Sequence, residues 1–148
     1  MNAGSPYDAR EVANLLLDIA ECRGSYLTQL SLYKILYFAH GWYLTETARP
    51  LIKQDFEAWK HGPVVKVVRD EFDHCKENPI TERAKKFDIF RGTRVSISSN
   101  ICDSDREFVK NIYEVYHVHD AWKLSVMTHE AESPWDRTDV VPRRAHPV

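Results

Sequence analysis

The chain has 148 residues and 17.3 kDa, the size of one domain, with 43% hydrophobic and 28% charged residues, which excludes disordered and collagen-like classes. A net charge of −2 removes the broad basic field on which nonspecific nucleic-acid binding depends. Three cysteines at wide spacing, Cys22, Cys75 and Cys102, make neither a disulfide framework nor a zinc ribbon, and point to a reducing cytoplasm.

Five glycines and seven prolines, about 8% of the chain against roughly 12% in average usage, leave few turns and favour helices. The longest apolar run, Ile35 to Ala39, is far short of the ~20 residues of a membrane span, and the first ten residues lack a basic start followed by an apolar stretch. The expectation is therefore a protein that is neither secreted nor membrane-inserted.

After a loose lead-in, Asp8 is placed to cap a helix from about residue 9 to the Arg23-Gly24 pair, with Val12, Leu15, Leu16 and Ile19 forming its apolar stripe. Thr28 caps a second helix over 29–45. Leu30, Tyr33 and Tyr37 lie on one side of it and Leu32, Ile35, Leu36 and Ala39 on another, so this helix is central. Gly41 within it points to close packing against another backbone.

Arg49-Pro50 ends that unit, and 51–60 reads as an extended connection. Gly62-Pro63 predicts a turn, with Pro63 opening a helix that runs to Cys75 on the stripe Val64, Val67, Val68 and Phe72; its β-branched residues make a strand the rival assignment. Asn78-Pro79 breaks this helix. A hairpin follows around Arg91-Gly92-Thr93, pairing 87–90 with 95–98. Asp103 caps a helix over 104–117, and Asp120 another over 121–128 that carries Trp122, Leu124, Val126 and Met127. Ser133-Pro134-Trp135 has the order of a short helix start, and the segment after Pro142 has too little apolar content to pack.

Seven histidines invite a search for a metal site. His117 and His119 diverge by about 200° on a helix, adjacent His74 and Cys75 diverge similarly, and His129-Glu130 supplies only the first two letters of HExxH, so no metal is expected. The scattered glycines build no nucleophile elbow and no phosphate loop, and no catalytic residue or cofactor is assigned. Between 81 and 94, Arg83, Lys85, Lys86, Arg91 and Arg94 outnumber Glu82 and Asp88 and form a candidate contact for an acidic partner, a solvated face being the plainer reading. Trp59, set before Lys60-His61-Gly62-Pro63, is either a cap on the core or a rigid interface anchor.

Three blocks, Leu30-Ser31-Leu32-Tyr33-Lys34-Ile35-Leu36-Tyr37-Phe38-Ala39-His40-Gly41-Trp42, then Glu57-Ala58-Trp59-Lys60-His61-Gly62-Pro63-Val64, then Thr128-His129-Glu130 with Ser133-Pro134-Trp135, resemble the Panacea antitoxin domain. The resemblance implies a mainly helical domain, and with the elements above the expectation is a mainly α, single compact helical domain of about five to six helices with a small antiparallel β element over 1–136, and a flexible C-terminal tail over 137–148. It implies a non-enzymatic antitoxin that binds a protein toxin encoded beside it and, in the SocA-type branch, delivers it to the ClpXP protease. On that view Lys34, Tyr37, Gly41, Trp42, Trp59, Gly62, Pro63, His129, Glu130, Pro134 and Trp135 maintain the scaffold. The stretch 77–100 carries none of the blocks and is the candidate for partner choice, through Arg83, Lys85, Lys86, Arg91 and Arg94. Trp59, Lys60 and His61 are added as candidate contacts on the anchor reading of Trp59. The alternative reading is a nucleic-acid-binding or phage-related regulatory module using 83–94. A hydrolase around His129 and Glu130 lacks a nucleophile and a complete metal set.

Overall fold

The computed structural model describes residues 4–60 and 62–127. His61, and with it every residue from Thr128 on, including His129, Glu130, Pro134, Trp135 and the 137–148 tail, lies outside the described residues.

Helices dominate: α1 (Ala9–Cys22), α2 (Gln29–Thr47), α3 (Lys66–Phe72), α4 (Asp103–Tyr116) and α5 (Ala121–Met127). Two small antiparallel hairpins accompany them, β1 (Glu57–Trp59) with β2 (Gly62–Val64) and β3 (Lys85–Asp88) with β4 (Thr93–Ser96). No described helix is long and apolar enough to cross a membrane.

Local chemistry starts the helices. The Asp8 carboxylate accepts from the Arg10 backbone N–H and the Thr28 hydroxyl from that of Ser31, each satisfying a donor that the first helical turn leaves open. At α4 the cap differs from expectation. Cys102 occupies that position without a side-chain cap bond, and Asp103 is the first helical residue, its charge favourable to the helix dipole.

α2 is the axis of the core. Residues Leu32 to Ala39 are buried without interruption, because α1, α3, α4, α5 and β2 all pack around it. Phe38 stacks on Tyr116 of α4 with centroids 4.2 Å apart, and the Trp42 indole donates to the Tyr116 hydroxyl at 2.7 Å. Gly41 is buried on the same helix. The segment before α1 closes the other end: Tyr7 bridges in parallel to Ile52, and its hydroxyl donates to the buried Asp105 at 2.6 Å.

Two assignments between 57 and 98 are corrected. Pro63 lies in β2, opposite Ala58, and the helix starts three residues later at Lys66. In a two-stranded ribbon each strand is an edge, so proline's missing N–H need cost no ladder bond, and the β-branched valines favour the strand. The second hairpin pairs Lys85 with Ser96 and Asp88 with Thr93, two positions earlier than expected, which puts Ile89 and Phe90 in the turn.

Candidate functional site

The second family-like block meets the first at one place. β2 is buried and lies against α2, where the buried Lys34 ammonium comes up beneath Gly62. Gly62 has φ +121°, and a Cβ built there would stand 2.6 Å from Lys34 Nζ. The backbone angle favours glycine, and a Cβ would in addition push the Lys34 ammonium aside. Burial lowers the Lys34 pKa from 10.5 to about 8.

Beside them Phe56 is 6% exposed, edge-on to Tyr37 with centroids 5.5 Å apart and tilted against His40 at 5.0 Å. The Ile52 N–H donates to His40 Nδ1 at 3.2 Å, which requires that nitrogen to be unprotonated. Burial agrees, lowering the His40 pKa from 6.5 to about 4. Lys34 and Tyr37 of α2 and Gly62 and Pro63 of β2 are thus packed together where the first hairpin meets α2.

Of the expected partner contacts, Trp59 and Lys60 line a cleft of about 700 Å³ together with Tyr33, Lys34, Arg69 and Lys76. The Arg69 guanidinium lies 4.4 Å over the Trp59 ring, and the Trp59 indole donates to Glu57 Oε1 at 2.9 Å, so the indole is held as a rigid wall.

The basic residues sit on the other hairpin and are not equivalent. Arg83 pairs with Asp18 at 2.7 Å and Glu21 at 2.5 Å on α1, and Arg94 pairs with Glu71 and donates to the Lys85 carbonyl at 3.0 Å. These two arginines fasten the hairpin's base, aided by Asn14, whose amide exchanges two hydrogen bonds with the Ala84 backbone at 2.8 and 3.1 Å. Such pairing subtracts from the basic patch that a phosphate backbone would need. Lys85 and Lys86 are exposed, and Arg91 lies 3.6 Å from Asp88 at the turn.

Sequence reasoning missed the apolar part of this arm. Phe87 is 59% exposed, Ile89 76% and Phe90 94%. A bulky pair placed directly before Arg91-Gly92 could have signalled a hairpin tip, but those residues were expected within a strand.

A further correction concerns His74 and Cys75. They occupy the short 3₁₀ turn Asp73–Cys75 after α3, and their Nε2 and Sγ atoms approach to 3.8 Å, with Glu82 beside both. Adjacent positions diverge at Cα, but in this turn the longer His74 ring reaches back to the Cys75 sulfur.

Comparison with known proteins finds relatives over most of the chain. Residues 32–136 match the family described as antitoxin SocA-like, Panacea domain. Antitoxin SocA of Caulobacter vibrioides (strain NA1000 / CB15N) is 39% identical over 129 residues, spanning 87% of this chain and 69% of that protein. No solved structure matches the chain significantly. With the motif residues around α2 and the first hairpin assembled into one unit, and the match covering most of its length, the chain belongs to the SocA-like Panacea-domain family of antitoxins.

Proposed function

We propose that this protein is a non-enzymatic antitoxin that neutralises a protein toxin encoded by a neighbouring gene, and that the β3–β4 arm makes the contact. Family membership supports the antitoxin role. The observation that carries the choice of surface is the arm's tip, where Phe87, Ile89 and Phe90 stand in solvent beside Lys85, Lys86 and Arg91. A buried phenylalanine contributes about 1.5–3 kcal/mol, which Phe90 gives up in the free protein and recovers only against a partner. Aromatic and arginine side chains rimmed by charge have the composition of a binding hot spot, and a base tied to α1 and α3 presents them at low entropic cost.

Neutralisation would proceed by occlusion of the toxin's working surface. At a free antitoxin concentration 100 times the dissociation constant, about 99% of the toxin is bound, so occlusion alone suffices. Delivery of the bound toxin to the ClpXP protease is a second step compatible with the same contact, and the Trp59–Lys60 cleft is a surface that this contact leaves for it.

The test is expression of the neighbouring gene with and without this chain in a heterologous host. Growth arrest relieved by the wild-type chain and unrelieved by an Ile89→Ser, Phe90→Ser variant is the expected outcome. A neighbour without toxicity, or full rescue by the variant, defeats the reading. Toxin half-life with and without the protease separates occlusion from delivery.

A further inference from the structure

The strongest unassigned chemistry is a cluster on the loop that leads into the arm. His74 Nε2, Cys75 Sγ and Glu82 Oε2 form a triangle with sides of 3.8 Å (N to S), 3.6 Å (S to O) and 2.5 Å (N to O). It is the one such group of three metal-ligating side chains among the described residues. We propose that these three atoms bind one Zn²⁺ per chain, with the fourth tetrahedral position open to solvent.

The geometry carries the assignment. Zinc bonds of about 2.3 Å to sulfur and about 2.0–2.2 Å to nitrogen and oxygen at tetrahedral angles put S···N and S···O about 3.5–3.6 Å apart and N···O about 3.4 Å apart. The two edges at sulfur already agree to within about 0.3 Å. The third is short because a hydrogen bond joins His74 to Glu82, and a cation in its place widens that edge by about 1 Å. Both side chains can yield, being 60% and 52% exposed.

The backbone holds the ligands ready. After Cys75 the chain turns through Lys76 at φ 56°, and the Asn78 N–H donates to the Cys75 carbonyl at 3.0 Å. The buried Ile80 then fixes the return, its N–H donating to the Leu27 carbonyl at 2.8 Å, so that Glu82 comes back against the 3₁₀ turn. Arg83, bound to α1, holds the next position.

One thiolate, one imidazole and one carboxylate suit zinc and not the hard cations Mg²⁺ and Ca²⁺, which take oxygen ligands. Charge also balances: a thiolate and a carboxylate neutralise the dication, the Cys75 thiol proton leaves to solvent, and neutral His74 supplies a lone pair. The bound ion clamps the end of α3 to the segment entering β3, and so stiffens the base of the arm.

The experiment uses the full, untagged chain under a non-thiol reductant. Zn²⁺ is titrated against a chromophoric chelator, and Co²⁺ is added separately to read the thiolate-to-cobalt charge-transfer band. One equivalent of Zn²⁺ is expected, with a cobalt band absent from Cys75→Ser. Outer-shell partners alone are worth 10–100-fold in metal affinity, so Cys75→Ser and Glu82→Gln should each weaken zinc by at least ~10-fold. The Cys22→Ser, Cys102→Ser variant should bind as wild type, and Mg²⁺ and Ca²⁺ should not compete. Circular dichroism of the metal-free variants verifies folding, and the exposed Glu82→Gln stands as the test if Cys75→Ser does not fold. No uptake by the wild type, a cobalt band retained without Cys75, or zinc affinity unchanged in Glu82→Gln overturns the proposal.

Discussion

The two hairpins are alike in size and opposite in placement. β1–β2 presses a wholly buried strand onto α2, whereas β3–β4 keeps almost every side chain in water and is secured only at its base. A two-stranded ribbon is at best marginally stable alone, so each needs outside support. The first takes it from the core and the second from polar bonds, which leaves the second one's tip uninvolved in folding. Substitutions in the first should therefore act through stability, and those at the second's tip through binding.

The largest effect is expected where the first hairpin enters the core. Phe56→Ala removes a buried ring that touches Tyr37 and His40 and should cost about 3–5 kcal/mol. Urea denaturation measures it. A loss below 1 kcal/mol would mean that the first hairpin is no more integral than the second.

Next comes acid sensitivity. His40 titrates near pH 4 when folded and near 6.5 when unfolded, so between those values the unfolded chain binds a proton that the folded chain refuses. Its contribution is therefore fully retained above about pH 6.5 and is lost as pH falls toward 4, by roughly 3 kcal/mol in all. His40→Asn keeps an acceptor for the Ile52 N–H without the titration. Denaturation midpoints followed from pH 7 to 4 should fall less steeply in the variant, and parallel slopes would refute the assignment.

Gly62→Ala follows, at about 1–3 kcal/mol for the strained φ. Lys34→Met beneath it relieves the close approach but not the backbone angle, so the double variant should recover only part of the loss in thermal denaturation. Full recovery would place the whole cost on the Lys34 contact.

The same contrast accounts for what the sequence disclosed. Asp8 and Thr28, each a cap before a recognisable helical pattern, located α1 and α2, and the apolar content of α2 on more than one side identified the central helix. Local chemistry sufficed there. Pro63 misled because the same valines serve a helical stripe and a buried strand, and only packing on α2 decides between them. Ile89 and Phe90 misled in the other direction, since their apolar side chains point to a strand where the chain turns and no layer covers them. The engagement of Arg83 and Arg94, and the meeting of Glu82 with His74 and Cys75, depend on how the chain returns through 76–80, where Asn78-Pro79 marks the break but not the direction of the return.

The smallest expected change in stability is the sharpest test of the comparison. Phe90 is 94% exposed, so Phe90→Ser deletes almost no folded-state contact and should move the denaturation midpoint by no more than the ±0.5 kcal/mol typical of surface sites. If the tip is a hot spot, the same substitution should cost at least ~2 kcal/mol in toxin binding, roughly 30-fold in dissociation constant by calorimetry. Core variants such as Phe56→Ala lose stability first and binding only through unfolding, so plotting binding loss against stability loss should separate the two hairpins. Both sets falling on one line would mean that the tip acts through the fold, and that the toxin contact lies elsewhere.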